Sequence, residues 1–373
     1  MKQFDLLKAI NETAGKIASP VVSRIKSDKI KGFITKHVKV IPSVSTLILF
    51  VIAFIIGGML FGQNFVTLRN TLSLFTDNIY LLISAVGMTL VIISGGIDLS
   101  VGSVAALTTM ILAYGNAVGH GPNEIGLGLP MWVCIIAALC IGTLIGFLMG
   151  TLIHVFEVPP FIATLGGMFF ARGLALIIST DSIPINDEGF RAIGGWRIPI
   201  KDVFHSNPNL IAPITIGVFI FIVLLIFAII LMKSTKLGRN IYAIGGNEQS
   251  ARLMGLPVKR TRIFVYTFNG FCSALAGIAF ALSLFSGWGR HMIGMELEVI
   301  APVVIGGSLL TGGIGYPIGS MFGVLTQGLI GKFVTFGNMM SGYAKIMVGV
   351  LLFLFIVMQR IVIIIAEKNK ETQ

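Results

Sequence analysis

Residues 93–103 read ISGGIDLSVGS, between the apolar runs NIYLLISAVGMTLVI (78–92) and VAALTTMILAYG (104–115). Three glycines, three serines and one aspartate therefore interrupt a hydrophobic run near its middle. Gly95 and Gly96 permit a sharp change of direction, and Asp98 or Ser100 can then accept hydrogen bonds from the free N–H groups of the next helix. A broken helix is tolerated at membrane depth only where protein or a water-filled cavity covers the freed backbone groups. The stretch is thus expected to face the interior of a helical bundle, with Gly102 and Ala106, four apart, offering a small-residue face for close packing. Asp98 has two readings. It is a buried cap, or it is a gate or pathway residue, because an ionisable group at membrane depth is a functional candidate by default.

The rest of the chain agrees with a membrane setting. Of 373 residues, 55% are hydrophobic and 12% charged, against roughly 25% charged in ordinary soluble domains, and the mean hydropathy is +0.93. Apolar runs such as 44–62, 211–232 and 342–366 are long enough to cross a hydrocarbon core roughly 30 Å thick. The alternation of a transmembrane barrel is missing. The fold class expected is an all-α integral membrane protein, a polytopic bundle of about ten transmembrane helices. They are placed at 44–62, 78–95, 99–118, 130–153, 161–179, 211–232, 263–286, 297–310, 316–333 and 342–366.

The net charge of +11 tracks topology. Of the 27 Lys and Arg, nine fall in residues 1–41, seven in 233–262 and three from Arg360 onward. Basic residues near span ends are retained inside, so both termini and the 233–262 loop are assigned to the cytoplasm and the weakly charged 180–210 loop to the outside. This distribution argues against nucleic-acid binding. The domain plan is a basic cytoplasmic amphipathic arm (1–41), a transmembrane domain (42–366) and a cytoplasmic tail (367–373). Within the arm, Phe4, Leu7, Ile10, Ala14 and Ile17 line one face of a helix suited to the membrane surface. No short apolar core with a small-residue cleavage site marks a removable signal peptide.

Chemistry of its own is not visible. Cys134, Cys140 and Cys272 fall in expected helices and read as small core residues, without disulfide or metal. His37, His120, His154, His205 and His291 fall in loops or at span ends, so no catalytic or metal-binding constellation appears.

A second glycine cluster, VIGGSLLTGGIGYPIG (304–319), resembles VIISGGIDLSVGS (91–103) in putting Val-Ile before Gly-Gly and a polar break. Two interrupted segments in the two halves of a chain are the pattern of an internal repeat with the translocation path between the repeats. Chance similarity of glycine-rich packing segments is the alternative. On this reading the pathway or gate residues are Gly95, Gly96, Asp98, Ser100, Asn269, Gly312, Gly313 and Gln327.

GGIDLSVGS resembles the signature of inner-membrane permease subunits of bacterial monosaccharide ABC importers, of the ribose, xylose and galactose class. Four more stretches agree in order: PPFIATLGGMFFARG (159–173), GRNIYAIGGNEQSARLMG (238–255), ELEVIAPVVIGGSLLTGGIG (296–315) and KIMVGVLLFLFIVMQR (345–360). The likeness spans about residues 44–363, and SIPIN (182–186) looks closest to permeases of the galactofuranose importer. The resemblance implies a transport subunit without enzymatic activity or a cofactor of its own. It also implies separate ABC ATPase subunits that use ATP, an extracytoplasmic sugar-binding protein, and a second permease subunit, identical or paralogous. The chain itself lacks a GxxxxGK[ST] phosphate loop and an LSGGQ-like signature.

The docking element for such an ATPase is expected in 233–262. Asn247 suits an N-cap, EQSARLM makes about two turns, Gly255 suits the left-handed C-terminal position, and Pro257 stops continuation. Relatives in the importer family carry Glu-Ala-Ala-x-x-x-Gly here, whereas this chain has Gln249, Ser250 and Ala251 before Gly255. The coupling residues are then Asn247, Glu248, Gln249, Ser250, Ala251, Arg252 and Gly255, with an ordinary positive-inside loop as the alternative.

Other polar residues carry paired readings. Arg172 pairs inward or meets a sugar. Glu296 and Glu298 cap a helix start. Trp288, Arg290 and His291 meet a delivering protein or anchor at the headgroups. Asn269 and Gln327 guide a hydroxylated solute or bond between helices. An ion-coupled secondary transporter is the rival function, and it would want several intramembrane carboxylates, whereas Asp98 alone lies well inside a span.

Overall fold

A computed structural model describes residues 41–117, 126–201 and 211–371. The expected arm up to residue 40, with its 4–17 helix, lies outside the described residues, as do His37, His120, His205 and positions 372–373 of the tail. The described residues begin with α1 (Ile41–Phe61) and α2 (Leu68–Asp77), the latter capped by Thr67, whose side chain accepts the Asn70 N–H. Then come α3 (Ile79–Ile93), α4 (Val101–Asn116), α5 (Met131–Val155) and α6 (Pro160–Ile178). Proline opens α6 because a first-turn residue needs no N–H partner. Next are β1 (Ile183–Pro184), α7 (Glu188–Gly195), β2 (Arg197–Lys201), β3 (Ile211–Thr215) and α8 (Ile216–Ser234). α9 (Lys236–Gly246), α10 (Glu248–Leu253), α11 (Val258–Leu284) and β4 (Ser286–Gly287) follow, and α12 (Met295–Ile305), α13 (Pro317–Phe336) and α14 (Gly342–Glu371) close the chain.

A helix lies at each of the ten expected places, but among the described residues only six are long and apolar enough to span. A seventh arises if α2 and α3, bent by 57° at Asn78, count as one. α4 has 16 residues and α12 has 11, too short to cross about 30 Å at 1.5 Å per residue. α4 starts after the Gly95–Gly96 break and α12 ends at Gly306.

Among the described residues, two short strand pairs accompany the helices of this all-helical membrane fold. β1 pairs antiparallel with β4, Ile183 opposite Gly287, and β2 with β3, Arg197 opposite Thr215. The expected loop 180–210 thus carries structure, and the span expected from 211 begins as a strand, with helix only from Ile216. Pro213, which lacks an N–H and clashes with the preceding turn, keeps this stretch out of a helix.

The core is built from helices that look like lipid-facing ones. Every residue of α3 except Tyr80 is buried, and α4 is buried along most of its length. By contrast, only 11% of the apolar window is buried in α1 and in α14. α11 packs against α5, α3 and α4. It approaches α5 closely because Gly142, Gly146 and Gly150 recur every four residues on the facing side. A Cβ at Gly146 would stand 3.0 Å from Gly270 Cα, and one at Gly150 2.8 Å from Ile263 Cα. Cys134 and Cys272 are buried, but Cys140 is exposed on α5 and is no core residue.

Candidate functional site

Asp98 is 1% exposed and ties three parts of the chain together. Its Oδ1 accepts the Ser100 N–H (2.8 Å) and the Ser100 hydroxyl (2.6 Å) just ahead of α4, and its Oδ2 accepts Asn269 Nδ2 of α11 at 2.8 Å. Asp98, rather than Ser100, takes up the N–H at the start of α4, since the Ser100 side chain makes no capping bond. The Asp98–Asn269 contact spans 171 positions of sequence. A carboxyl engaged by three buried donors is held in one orientation.

The two glycine clusters meet. Gly95 (φ 81°), Gly312 (φ 87°) and Gly313 (φ 76°) adopt the left-handed backbone that a side chain disfavours. The Gly313 N–H donates to Ile93 O at 2.8 Å, joining the end of α3 to the break after α12. A Cβ on Gly312 would stand 2.9 Å from Gly95 Cα and 2.6 Å from Gly245 O. Gly245, at the end of α9, is the third partner: a Cβ there would run into Ile93 O and come within 2.6 Å of Gly313 N. Tyr242, one turn earlier, donates its hydroxyl to Gly315 O at 2.8 Å. Gly245 and Tyr242 lay inside GRNIYAIGGNEQSARLMG but were not singled out; the paired glycines Gly245 and Gly246 were the available signal.

The segment leading from this junction forms α9 and α10 where a single short helix in a loop was expected. Thr235 caps α9 by accepting the Gly238 N–H at 3.1 Å. Asn247 ends α9 and caps α10, its Oδ1 accepting the Ser250 N–H at 2.8 Å. Gly255 (φ 74°) stops α10, with Leu256 N–H bonding Ala251 O at 3.1 Å, the pattern of a left-handed helix stop. Ala251 is buried, while Leu253 (89%) and Met254 (68%) stand exposed at the tip. Glu248 bridges two arginines, Arg252 at 3.3 Å and buried Arg262 of α11 at 2.6 Å. Gln249 joins Glu248, Arg252 and Arg262 in lining a cavity of about 760 Å³, whose wall includes Gly95 and His154.

The remaining candidates sort by contact. Gly96 lies against the hydroxyl of Tyr266, which leaves no space for a Cβ. Gln327 is not part of this group. It precedes Gly328, which faces Asn78 at the other end of α3 from the junction, and its Oε1 is buried without a partner. Arg172 turns inward and donates Nη1 to the carbonyls of Gly289 and His291, both at 2.7 Å. Trp288, Arg290 and His291 do cluster, with Arg290 6.0 Å over the Trp288 ring. Glu296 and Glu298 sit in the first turn of α12, where negative charge suits a helix N-terminus, and Glu298 also approaches Lys345 at 4.0 Å. Gly102, expected to pack helix on helix, faces Met292 O at 2.7 Å and Glu296 Oε2 at 2.9 Å, measured from an added Cβ. Among the described residues no group of three or more metal-ligating side chains occurs.

Broken helices that meet inside a bundle, joined to a short exposed helix, define a polytopic membrane protein built to move. The chain belongs to the family described as branched-chain amino acid transport system / permease component, whose model matches residues 70–356. It is 38% identical to the fructose import permease protein FruG of Bifidobacterium longum, over 95% of this chain and all of that protein. It is 39% identical to the inner membrane ABC transporter permease protein YjfF of Escherichia coli (89% and 96% covered). It is 33% identical to the ribose import permease protein RbsC of the same species (79% and 86% covered). No solved structure matches. The chain is a multi-pass permease component of an ABC importer and a transport subunit, not an enzyme.

Proposed function

We propose that this permease carries a monosaccharide across the inner membrane, as the names of its fructose and ribose relatives suggest, and that ATP is used on a separate ATPase. One observation carries the reading: both interrupted segments touch each other and the α9–α10 element at Gly95, Gly245 and Gly313. A push on α10 then reaches both breaks at once. In this reading α10, with Asn247, Glu248, Gln249, Ser250, Ala251, Arg252 and Gly255, sits in a cleft of the ATPase, and its exposed Leu253 and Met254 enter that interface. A six-residue helix is too short to hold itself and needs such packing.

The chain binds no cofactor of its own. Its partners are ABC ATPase subunits inside, a sugar-binding protein outside and a second permease, identical or paralogous. Both termini lie in the cytoplasm, the passes number about ten when α4 and α12 cross together with the extended backbone of the breaks beside them, and the two interrupted segments are halves of an internal repeat. Gly95, Gly96, Asp98, Ser100, Asn269, Gly312 and Gly313 form the moving gate, with Gln327 farther along the path. ATP shifts the balance between two accessibilities by binding one state of the assembly better than the other.

The rival, ion-coupled transport, finds less support because both oxygens of Asp98 are engaged by Ser100 and Asn269. Arg252→Pro tests the proposal, since proline in α10 removes an N–H and clashes with the preceding turn. Expected is assembly with loss of ATP-driven sugar uptake in proteoliposomes. Normal uptake by that variant, or uphill uptake by the permease alone, overturns the reading.

A further inference from the structure

One face of α11 connects the exposed helix to the buried break. Arg262, Tyr266 and Asn269 lie four and three residues apart, so they share a face of the helix. Arg262 is buried, and its Nη2 is 2.6 Å from Glu248 Oε2 on α10. Tyr266 is fully buried with its hydroxyl against Gly96 and without a hydrogen-bond partner. Asn269, also fully buried, donates to Asp98 at 2.8 Å. The three contacts meet, in order, α10, the first break and the residue that holds the start of α4. Seven residues of helix separate the two ends, about 10 Å of rigid rod.

We propose that Glu248–Arg262 is the grip through which α10 moves α11, and that Tyr266 and Asn269 deliver this displacement to Gly96 and Asp98. Glu248 and Arg262 are positioning residues that touch neither sugar nor ATP. The chemistry suits a mechanical link. Removing Glu248 leaves a buried guanidinium without its carboxylate, which is strongly unfavourable, so α10 and α11 stay paired throughout the cycle. Glu248 also holds the more exposed Arg252 at 3.3 Å; an ATPase that takes Arg252 leaves the inner pair intact. The inference rests on the importer reading above.

The test uses the whole importer, with its ATPase, partner permease and binding protein, in proteoliposomes supplied with labelled D-fructose, D-ribose or D-galactose. The measured quantity is ATP hydrolysed per sugar imported. Glu248→Gln is expected to raise this ratio at least three-fold, and Asn269→Ser at the other end of the face to do the same. The exchanged pair, Glu248→Arg with Arg262→Glu, is expected to return it to within two-fold of wild type. A merely structural role would lower assembly and both rates together and leave the ratio unmoved. A rise smaller than three-fold in Glu248→Gln, or an exchanged pair no better than that single variant, overturns the proposal while leaving ATP-driven uptake by the wild type, and with it the importer reading, intact. No ATP-driven uptake of any of the sugars by the wild type overturns both.

Discussion

Replacing Asp98 by Ala and by Asn separates what its oxygens do from what its charge does. Asp98 accepts three hydrogen bonds, two from Ser100 and one from Asn269. Ala accepts none. The Ser100 hydroxyl can rotate to a new acceptor, but the Ser100 N–H and the Asn269 amide are left buried and unsatisfied. At about 1–3 kcal/mol for each such group, Asp98→Ala loses about 2–6 kcal/mol. In Asp98→Asn the oxygen facing Ser100 is kept, and the new NH2 faces Asn269. A half-turn of the Asn269 amide presents Oδ1, which has no partner at present, and the bond re-forms in reverse. Only the charge assistance is lost, ~1–2 kcal/mol. Thermal unfolding of the purified assembly in a fixed detergent should therefore show a drop in midpoint for Ala at least twice that for Asn. ATP-driven uptake should survive in Asn and fail in Ala. Equal shifts for the two variants would refute the claim that Asp98 joins α4 to α11 through its hydrogen bonds.

Two further outcomes follow from the junction. Gly245→Ala puts a methyl into Ile93 O and against Gly313 N, whereas at Gly246 an added Cβ meets nothing within 4 Å; overpacking of about 1–3 kcal/mol should make the first variant lose uptake and the second retain it, as proteoliposome assays would measure. Tyr242, half-buried and beside Tyr316, has its hydroxyl pKa pushed up from 10 to about 12, burial being the larger cause. The folded form thus holds this proton more tightly than the unfolded one, so the stability it lends is complete below pH 10 and fades as pH rises to about 12. A Tyr242→Phe variant should lack that part of the alkaline loss in unfolding midpoints taken between pH 9 and 12.

The interruptions were legible in local chemistry. ISGGIDLSVGS cannot continue a helix through two glycines and an aspartate, and Asn247, Gly255 and Pro257 mark the ends of α10 by backbone needs that any sequence of this kind states openly. Apolar length alone likewise declared a membrane bundle. Burial was not legible, because an apolar helix reads the same whether lipid or protein surrounds it: α1 and α3 are alike in composition, yet α1 is mostly exposed and α3 almost wholly enclosed. Apolar length likewise did not show that α4 and α12 are short, or that Ile211–Thr215 pairs as a strand with β2 ahead of α8. Contacts between distant residues were equally hidden. Asn269 reaching Asp98, Gly245 lying under Ile93 and Gly313, and Glu248 gripping Arg262 each depend on the path of the backbone through three dimensions, which residue type and spacing along one segment do not encode.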